Sequence, residues 1–445
     1  MVKPEESFEV RDVPRFHAEV PREKHASAHP IRVLLIHQAF CGPNDPGGTR
    51  HYEFARRMVA KNHRFSVVTS NLSYLTGQEV NQNQPRRFES LDGIRVFRAY
   101  TYKAQSPSFL RRIVAMVSFA FTSVITALRA ESPDVVVGTT PPIFQAVSAC
   151  VVSALRRKPL LLEVRDLWPD FAIDMGILKN PFAIRMAQWL ERVLYRRASH
   201  LLVNSPAYRD HLIGKGIGSD RISLIPNGVD PEMFDPDERG EHLRRQFGLN
   251  GKFVVTYAGA LGIANDIDTV LQAAKLLMQY EPDIHFLLVG DGKERSRLEQ
   301  KAQLMALDNV TFAGPQPKNQ MVEFLAASDA FVAILQDIPM FRTTYPNKVF
   351  DYMAAGRPTI LAIDGVIRDV VEKGNGGIFV PPGDALALSE AARSLYRNQE
   401  LCCRMGADAR AFVAENFHRD KHATAFLELV IKIAERPNKA AAGLR

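Results

Sequence analysis

The chain has 445 residues, of which 46% are hydrophobic and 24% are charged. This composition is typical of a globular protein and excludes a chain that is disordered as a whole. The length predicts two domains of roughly 200 residues each. The net charge is +7, yet residues 31–222 alone hold 26 Lys and Arg against 14 Asp and Glu, so the rest of the chain carries −5. The basic surface is therefore expected on the amino-terminal half.

Three features of the chain bear on its compartment. Residues 1–30 mix five basic and six acidic side chains with no apolar core, which predicts a flexible leader and neither a secretory signal nor a transit peptide. The four cysteines lack zinc-ligand or CxxC spacing, which favours a reducing, cytosolic setting. The longest charge-free apolar run, residues 113–128, has sixteen residues. Because a membrane-spanning helix needs ~20, no transmembrane segment is predicted.

From residue 31 onwards, short β-branched runs alternate with longer amphipathic segments, which is the pattern of βα units and a parallel sheet. One set of strands is predicted at 31–37, 65–70, 94–99, 134–139, 160–166 and 200–205. A second set is predicted at 253–261, 284–292, 310–315, 330–335, 358–363 and 377–383. Each set makes a complete doubly wound sheet, so the predicted fold is α/β with two Rossmann-like domains.

The two sets of strands meet at residues 222–234, where a Pro-Asn-Gly turn at 226–228 interrupts both the helix and the strand period, as a hinge requires. We therefore predict an amino-terminal domain over 31–222 and a carboxy-terminal domain over 223–410. Residues 411–435 have a helical pattern and follow the completed second sheet. This last helix is predicted to pack back on the first domain.

A pair of glycines follows the first predicted strand. Ligands of open α/β sheets bind outside the carboxyl ends of the strands, where turns and helix N-termini present backbone N–H groups. Gly47 and Gly48 open a helix there and allow the backbone to approach a diphosphate or a sugar closely. A glycine-rich βα turn of any Rossmann domain has the same appearance, so both interpretations stay open. The turn is neither a GxGxxG fingerprint nor a P-loop, which argues against NAD and ATP chemistry.

Charged residues end the fifth predicted strand of the first set, which runs directly into Glu163, Arg165 and Asp166. Charges at the carboxyl end of a buried strand are costly unless they face a cleft or pair with one another. A pair of Arg165 with Glu163 or Asp166 that only fixes the loop is one interpretation. Trp168 and Asp170 add an aromatic ring and a third acid at the same edge, which favours Asp166, Arg165 and Glu163 as candidate catalytic residues.

The densest candidate is the segment 336–360, where a polar, proline-containing loop meets a helix predicted over 347–355. Lys348 stands in the first turn of that helix, where a cation is unfavourable because the helix N-terminus carries partial positive charge. A bound anion would account for this position. Asp351 follows one turn later on the same side, within reach of ribose hydroxyls. The alternative is a local Lys348–Asp351 pair, which is worth only a few tenths of a kcal/mol.

Several motifs occur together and in order along the chain. They are GGTRHYEFARRM at 47–58, EVRDLWPD at 163–170, IPNGVD at 225–230, YAGALG at 257–262, LLVGDG at 287–292, VTFAGP at 310–315 and YPNKVFDYMAAGRP at 345–358. On these motifs the chain resembles the retaining glycosyltransferases of family 4, which have the GT-B fold of two Rossmann-like domains facing across a cleft. It is similar in detail to the bacterial surface-polysaccharide branch, including N-acetyl-fucosamine transferases that act on lipid-linked acceptors. The resemblance covers about residues 31–430.

The resemblance implies donor-binding roles for residues of both domains. Asp351 stands where the second acid of the family's Glu-x7-Glu motif binds the ribose. Gly47 and Gly48 match the glycine loop near the donor phosphates, and Gly259 faces the same cleft from the second domain. Gly314 matches the turn beside the nucleotide base.

The chain also departs from the family pattern. Asp166 and Arg165 fall where relatives keep a His-Asp pair beside the sugar. Thr343 replaces the first Glu of the Glu-x7-Glu motif, and Ala260 and Asn265 stand where the usual Arg and Lys follow the first strand of the second domain. Two cations and one acid that the resemblance leads us to expect are therefore missing.

Neutralisation of the donor diphosphate must then fall to other groups. We expect it to come from Lys348, Arg342 and the backbone N–H groups of the loop at 344–347. Substrate binding is accordingly predicted at Arg342, Thr344, Tyr345, Asn347 and Lys348.

The expected chemistry sets the demands on the site. Breaking an anomeric C–O bond leaves negative charge on the nucleotide diphosphate and positive character on the sugar, so the site needs fixed donors aimed at the phosphates. No DxD-type ligand cluster stands in a suitable loop, so the sequence predicts no metal and no cofactor. The donor substrate is expected to be a nucleotide diphosphate sugar, with UDP favoured over GDP. Retention of configuration is implied by the resemblance alone.

The segment 109–130 is apolar over sixteen residues and has arginines at both ends. One interpretation is a core helix of the first domain. The other is a helix that lies against an anionic membrane surface, with charge added by Arg156, Arg157, Lys158, Arg192, Arg196 and Arg197. Nucleic acid is the other common partner of a basic surface, but the sequence holds no recognised nucleic-acid motif, and no such partner is predicted.

The leading hypothesis is an enzyme that moves a hexosyl group, N-acetylated or not, from a nucleotide sugar to a polyisoprenyl-diphosphate-linked saccharide. Its expected role is polysaccharide biosynthesis, lipopolysaccharide included, as a cytoplasmic protein on the inner face of the cell membrane. Two alternatives stay open. A nucleotide-sugar 2-epimerase shares the architecture but needs a histidine near the hexose, where only His37 and His51 are close. A pseudo-transferase that binds nucleotide and scaffolds an assembly would account for the missing acid and cations.

Overall fold

The computed structural model describes residues 29–43, 45, 47–72, 88–103, 109–317 and 320–435. The leader expected at 1–30 lies outside these residues except for its last two positions. No disulfide links the cysteines of the described residues.

Eight strands build the first sheet: β1 (Arg32–Ile36), β2 (Arg64–Ser70), β3 (Glu89–Leu91), β4 (Ile94–Ala99), β5 (Val135–Thr140), β6 (Leu160–Val164), β7 (His200–Val203) and β8 (Ile222–Leu224). Their order is β3-β4-β2-β1-β5-β6-β7-β8, and β3 pairs antiparallel with β4 while the other pairs are parallel. All six predicted strands of the first set are present. The sequence does not predict two further strands, β3 and β8, each of three residues.

Six strands build the second sheet: β9 (Phe253–Ala258), β10 (Ile284–Val289), β11 (Val310–Gly314), β12 (Ala330–Ile334), β13 (Thr359–Ala362) and β14 (Gly377–Phe379). Their order is β11-β10-β9-β12-β13-β14, and all neighbours are parallel. Each corresponds to one predicted strand of the second set. The predicted α/β architecture with two doubly wound sheets is confirmed.

The helices of the described residues connect these strands. They are α1 (Arg50–Ala60), α2 (Phe109–Arg129), α3 (Ile143–Arg156), α4 (Asp170–Asp174), α5 (Pro181–Arg197), α6 (Pro206–Gly214), α7 (Glu241–Gln246), α8 (Ile267–Met278), α9 (Arg295–Leu304), α10 (Met321–Ala326), α11 (Asn347–Ala354), α12 (Val366–Lys373), α13 (Ala385–Arg397), α14 (Gln399–Asn416) and α15 (Arg419–Glu435). None of them combines the length and the apolar character that crossing a bilayer requires.

Helices cover both faces of each sheet. In the first sheet, α2, α3, α5 and α6 pack on one face and α1 and α15 on the other. In the second, α8, α9 and α13 pack on one face and α10, α11, α12 and α14 on the other. A parallel strand buried on both faces is apolar at nearly every position. The strand β6 follows this rule, since all five of its residues are buried, and Glu163 is the single charged residue among them.

The chain crosses between the two halves twice. The first crossing follows β8, and the second lies between α14 and α15. They run side by side, since the Val229 N–H donates to the Phe417 carbonyl at 2.9 Å and the Arg419 N–H donates to the Val229 carbonyl at 3.1 Å.

The carboxy-terminal helix packs on the first sheet, but it is shorter than the sequence pattern indicates. The helix predicted over 411–435 is interrupted at Phe417, which leaves helical geometry where it pairs with the other crossing. Residues 411–416 therefore belong to α14 in the second half. Only α15 reaches the first sheet, where the ring of Phe426 stacks on that of Phe54 at 4.6 Å between centroids.

Candidate active site

The carboxyl ends of the two sheets face a common cavity of about 310 Å³. Its walls come from loops of both halves and from the first crossing. The lining residues are Gly48, Arg50, Arg165, Asp166, Phe171, Asn204, Tyr208, Asn227, Leu335, Phe341, Thr344, Tyr345, Pro346 and Asn347. Six residues from three separate predicted segments are thus brought together, namely Gly48, Arg165, Asp166, Thr344, Tyr345 and Asn347.

A larger cavity, of about 800 Å³, lies between residues 232–242 and α10. Six carboxylates line it, those of Glu232, Asp235, Asp237, Glu238, Glu241 and Glu323, against the single guanidinium of Arg239. Such a wall repels phosphates. The smaller cavity has Arg50 and Arg165 against Asp166 alone, so its charge suits a diphosphate and we take it as the candidate active site.

The glycine loop approaches the second half across this cavity. A β-carbon built on Gly48 would lie 3.9 Å from Nδ2 of Asn347, the first residue of α11. Gly47 turns away from the cavity, since its β-carbon would lie 2.7 Å from Sγ of Cys41. Gly48 therefore faces the cleft, and Gly47 shapes the turn behind it.

Arg50, the first residue of α1, is a site residue that the sequence analysis did not select. Its Nη1 and Nη2 donate to the carbonyls of Pro226 and Ile225 at 2.6 Å, and its Nε donates to Glu163 at 2.8 Å. A cation in the first turn of a helix is unfavourable unless a partner holds it. Like Lys348, Arg50 is a cation in the first turn of a helix, so the same feature of the sequence could have identified it.

Glu163 lies beneath the cavity and does not line it. Its side chain is 1% exposed, and its two carboxylate oxygens contact Nε of Arg50 at 2.8 Å and Nε2 of His51 at 2.5 Å. Burial alone would raise the pKa of this carboxyl, but His51 and Arg50 outweigh it and hold the pKa well below its usual range. The pairing with Arg165 that the sequence left open is therefore not the contact that holds Glu163. Glu163 thus holds neighbouring groups in place and is too deep to touch a substrate.

Unlike Glu163, Arg165 and Asp166 are only half-buried, and both line the cavity. The Nη1 of Arg165 lies 3.4 Å from Nε2 of His37, a buried histidine whose pKa burial lowers well below its usual value. Burial raises the pKa of Asp166 to about 6, against the opposing charge of Arg165. Oδ1 of Asp166 has no hydrogen-bond partner in the described residues. A carboxyl of this kind can accept from a sugar hydroxyl or exchange a proton near neutral pH.

Lys348 lies in the first turn of α11, against β9. Its Nζ donates to Oη of Tyr257 at 2.9 Å and lies 4.0 Å from the centroid of that ring. It does not pair with Asp351, the alternative that the sequence left open. Burial lowers the pKa of the ammonium to about 7. A desolvated ammonium that meets a hydroxyl and a ring, and no carboxylate, is suited to receive an anion.

Gly259, at the end of β9, makes room for this lysine and packs on the glycines that follow β10 and end β11. A β-carbon on Gly259, whose φ is +151°, would lie 2.7 Å from Nζ of Lys348. Gly290 follows β10 and packs so closely that its β-carbon would lie 1.9 Å from the Gly259 carbonyl oxygen. Gly314 also lacks a side chain, and its carbonyl accepts a hydrogen bond from the Gly290 N–H at 2.9 Å. Of the two predicted glycines, Gly259 thus lies beside Lys348, whereas Gly314 is connected to it through Gly290 and has Arg295 as its nearest side chain.

Two other predicted residues lie outside the cavity lining. Arg342 lies in the 3₁₀ turn Pro339–Thr343, and its exposed side chain pairs with Asp337 at 2.9 Å. Its predicted role at the diphosphate finds no support in this position. Asp351 is half-buried on α11, one turn beyond Lys348. Thr343, at the place of the family's first Glu, turns its hydroxyl back to the Met340 carbonyl.

The two halves touch at the rim of the cavity. Oγ of Ser205 donates to the Thr343 carbonyl at 2.5 Å, and Nδ2 of Asn227 donates to the Tyr345 carbonyl at 3.3 Å. Phe171 of the first half and Phe341 of the second add an apolar contact, with 5.3 Å between their ring centroids, so polar and apolar groups together hold the cleft closed.

Within the described residues, two groups of carboxylates and histidines have ligand atoms within 4.8 Å of one another: Asp170, Glu191 and His211, and Asp230, His418 and Asp420. In the first group, Nζ of Lys215 already donates to Asp170 at 2.8 Å and to Glu191 at 2.7 Å. In the second, Arg57 and Arg419 pair with Asp230. Neither group lines the candidate active site, so Asp170 is an ion-pair residue and not a third acid of the cleft.

Comparison with known proteins identifies the family of both halves. Residues 47–228 match the family described as glycosyl transferase 4-like domain, and residues 240–412 match the family described as glycosyl transferases group 1. Both halves of the chain thus match glycosyltransferase families, and the fold is that of the GT-B glycosyltransferases. The resemblance read from the motifs is confirmed at this level, whereas the narrower likeness to N-acetyl-fucosamine transferases stays a prediction.

Individual relatives of this glycosyltransferase are distant. It is 25% identical to WcaI of Escherichia coli, named as a colanic acid biosynthesis glycosyl transferase, over 70% of this chain and 78% of that protein. It is 28% identical to a GDP-mannose-dependent alpha-mannosyltransferase of Mycobacterium tuberculosis, over 66% and 71%. The structure of Anabaena HepE in complex with UDP and glucose is 20% identical and superposes with a TM-score of 0.68, over 90% of this chain and 99% of that one. That last likeness establishes the shared fold.

Proposed function

We propose that this glycosyltransferase moves a hexosyl group from a nucleotide diphosphate sugar to a lipid-linked saccharide in polysaccharide biosynthesis. Transfer proceeds with retention at the anomeric carbon, without a metal, at the cytoplasmic face of the cell membrane. Support for the pathway comes from the relative named for colanic acid biosynthesis. Support for the donor class comes from the UDP and glucose bound by a protein of the same fold.

The buried ammonium of Lys348 is the observation that carries the proposal. It lies at the amino terminus of α11, whose backbone N–H groups carry partial positive charge, and within the described residues it donates to the hydroxyl of Tyr257. The leaving diphosphate gains negative charge as the anomeric bond breaks. An ammonium and helix N-terminus already in place stabilise that charge without reorganisation. They take the role of the Arg and Lys that this chain lacks.

The sugar is expected within the cavity, beside Asp166. Arg165 and Arg50 lie at the same wall, and Gly48 leaves space for the hexose between them and Asn347. Asp166 is the group at this wall that can accept a hydrogen bond from a sugar hydroxyl. Because its pKa is raised to about 6, the carboxyl of Asp166 changes between its neutral and charged forms close to neutral pH.

The nucleotide base is proposed to be uracil, with guanine as the alternative. The fold neighbour binds UDP, whereas the mannosyltransferase relative uses GDP-mannose. Both classes of donor therefore belong in the test.

The nucleotide-sugar 2-epimerase has less support from the structure. An epimerase needs a histidine free to act on the hexose, but Nε2 of His51 is held by Glu163 and Nε2 of His37 faces Arg165. Both rings are buried. The pseudo-transferase remains as an outcome of the experiment below.

The test measures nucleotide diphosphate release from a panel of UDP- and GDP-sugars, with and without a bacterial extract of lipid-linked saccharides. Wild type is compared with Lys348→Met and Asp351→Ala. The matched control is Lys275→Met, since Lys275 is a half-buried lysine on α8 that donates to the Met305 carbonyl away from the cleft.

We expect release that requires one donor together with the extract, a loss on the order of a hundredfold in Lys348→Met, and wild-type rates in the control. Product release without the extract, as a changed nucleotide sugar, would point to an epimerase. Binding of UDP or GDP with no turnover on any acceptor would point to the scaffold. Full activity of Lys348→Met would overturn the role given to the lysine.

A further inference from the structure

A row of exposed apolar side chains runs along the outer face of α2. Val114, Val117, Phe121, Ile125 and Leu128 are all exposed, and the ring of Phe121 is 69% exposed. Their spacing of three or four residues places them on one side of the helix. The opposite side packs on the sheet through Phe119 and Ala127. The core-helix interpretation is thus correct for one face of α2, and leaves the other without a partner in the described residues.

The neighbouring helices extend this row into a surface. Next to α2 lies α3, since Oγ of Ser148 donates to the Ala120 carbonyl at 2.9 Å, and α5 follows on the far side of α3. Val151 and Leu155 are exposed on α3. On α5, Phe182 is 73% exposed and Trp189 is 54% exposed. We call the outer face of these three helices the α2–α3–α5 face.

Arginines alternate with the aromatic residues of this face. On α5, the exposed positions Phe182, Arg185, Met186, Trp189 and Arg192 recur every three or four residues, so they share one side of the helix. Neither Arg185 nor Arg192 pairs with a carboxylate anywhere in the described residues. Apolar and cationic groups are therefore presented together, which is the composition of helices that lie in a membrane interface.

More positive charge gathers where the three helices end. Parallel crossover helices on one face of a sheet end at the same edge, so the carboxyl ends of α2, α3 and α5 lie together. The basic residues at these ends are Arg129, Arg156, Arg157, Lys158, Arg196 and Arg197. Their charge accounts for half of the +12 excess of residues 31–222.

We infer that the α2–α3–α5 face is a docking surface for an anionic lipid bilayer. Phe121, Phe182 and Trp189 enter the interface between headgroups and acyl chains, while Arg185, Arg192 and the basic helix ends bind lipid phosphates. The protein lies on the membrane through three helix faces and does not insert a helix. A lipid-linked substrate confined to the same bilayer is then presented to the domain that carries Asp166 and the glycine loop.

Charge favours a bilayer over a second copy of the chain as the occupant. A twofold contact through this face would bring the same arginines of both copies together. Other contacts within that interface would have to offset the repulsion between the arginines. Anionic headgroups neutralise the arginines instead, and the acyl region receives the aromatic rings.

The inference rests on the lipid-linked acceptor of the proposed function. Its test contains no sugar donor, so failure of the docking surface can be distinguished from failure of the proposed transferase activity. The full chain is floated with vesicles of phosphatidylglycerol and phosphatidylethanolamine, and with vesicles of phosphatidylcholine alone. One variant combines Phe121→Ser, Phe182→Ser and Trp189→Ser. A second combines Arg185→Glu and Arg192→Glu.

The control variant combines Tyr280→Ser and Leu304→Ser, two exposed apolar residues of the second half. Thermal unfolding is recorded for every variant, and all are expected to unfold as wild type because the substituted side chains are exposed.

We expect wild type and control to float with the anionic vesicles and to float far less with phosphatidylcholine. Each of the two face variants should bind the anionic vesicles on the order of tenfold more weakly. The inference is overturned if wild type does not float with anionic vesicles, or if the aromatic variant floats as wild type does. It is also overturned if light scattering finds a wild-type dimer that the aromatic variant abolishes while vesicle binding is absent.

Discussion

The ammonium of Lys348 makes the site sensitive to pH in a direction that can be worked out. Burial lowers its pKa to about 7 in the folded protein, whereas the unfolded chain keeps the ordinary value near 10.5. Below pH 7 both states hold the proton. Between about pH 7 and 10.5 the unfolded chain alone holds it, so this group raises the free energy of unfolding as pH rises through that window. The buried charge is thus a cost at low pH, and a bound anion relieves it.

We predict that the affinity for UDP falls as pH rises above 7, by up to about tenfold per pH unit. A diphosphate stabilises the ammonium, so binding must take up a proton wherever Lys348 is neutral. Calorimetric titration with UDP from about pH 6 to about pH 9 measures this. Lys348→Arg should bind with little dependence on pH in this range, because a guanidinium stays charged, and Lys275→Met should keep the wild-type profile. An affinity of the wild type that is constant over this range would contradict the prediction.

At the scale of elements, β6, α1 and the first crossing are held together by one buried pair. Glu163 accepts from Arg50, which in turn donates to the carbonyls of Ile225 and Pro226. The pair therefore fixes the glycine loop relative to the hinge.

We predict that Glu163→Ala lowers the free energy of unfolding by about 3 kcal/mol, because it leaves the guanidinium of Arg50 buried beside His51 without a counter-charge. Urea denaturation measures this. Asp337→Ala is the matched control, since it removes the carboxylate of the exposed Arg342–Asp337 pair and should cost less than about 1 kcal/mol. Equal stability of the two variants would show that the buried pair is not needed.

Sequence patterns predict the elements well and the partners of charged residues poorly. Strands such as β6 are apolar at all positions but one, so composition alone locates them. One interpretation of the sequence pairs Glu163 with Arg165, two residues away, and the favoured one makes it a catalytic residue. Its actual partners, Arg50 and His51, are more than a hundred residues away, and only the sheet order places α1 beside β6. Periodicity is local, so it cannot find such a pair.

Because sequence patterns are local, they also miss two other features of the structure. The helical pattern of 411–435 continues through Phe417, because a break caused by pairing with a distant segment leaves no mark on the period. The composition of the 336–347 loop indicated a phosphate site but not the directions of its side chains. Arg342 points to solvent, and Lys348, in the adjoining helix, points to Tyr257. Lys348 could be selected because the helix dipole disfavours its position regardless of tertiary structure.

At the scale of the whole molecule, the last helix belongs structurally to the first domain. The ring of Phe426 on α15 is buried against Phe54 on α1, with an angle of 15° between the ring planes. The sheet formed by the first half of the chain is thus completed only by residues near the other end of the described chain.

We predict that Phe426→Ala lowers the free energy of unfolding by about 3 kcal/mol, because it opens a cavity in the layer between α15 and the first sheet. Limited proteolysis during chemical denaturation should locate the loss in the first half, although the substituted residue follows the second. Phe182→Ala removes an exposed ring and should change stability by less than about 0.5 kcal/mol. Loss confined to the second half would contradict this assignment of α15.

The two crossings between the halves have a mechanical consequence. A single linker lets two bodies turn about any axis, since its soft backbone torsions act independently. Here the segments at Val229 and Phe417 are hydrogen-bonded side by side, and Asp230 joins Arg57 of the first half to Arg419 at the start of α15. Two adjacent connections between domains act as a hinge with a defined axis. We therefore expect the cleft to open and close by rotation about these paired segments, which would return Gly48 to Asn347 at each closure.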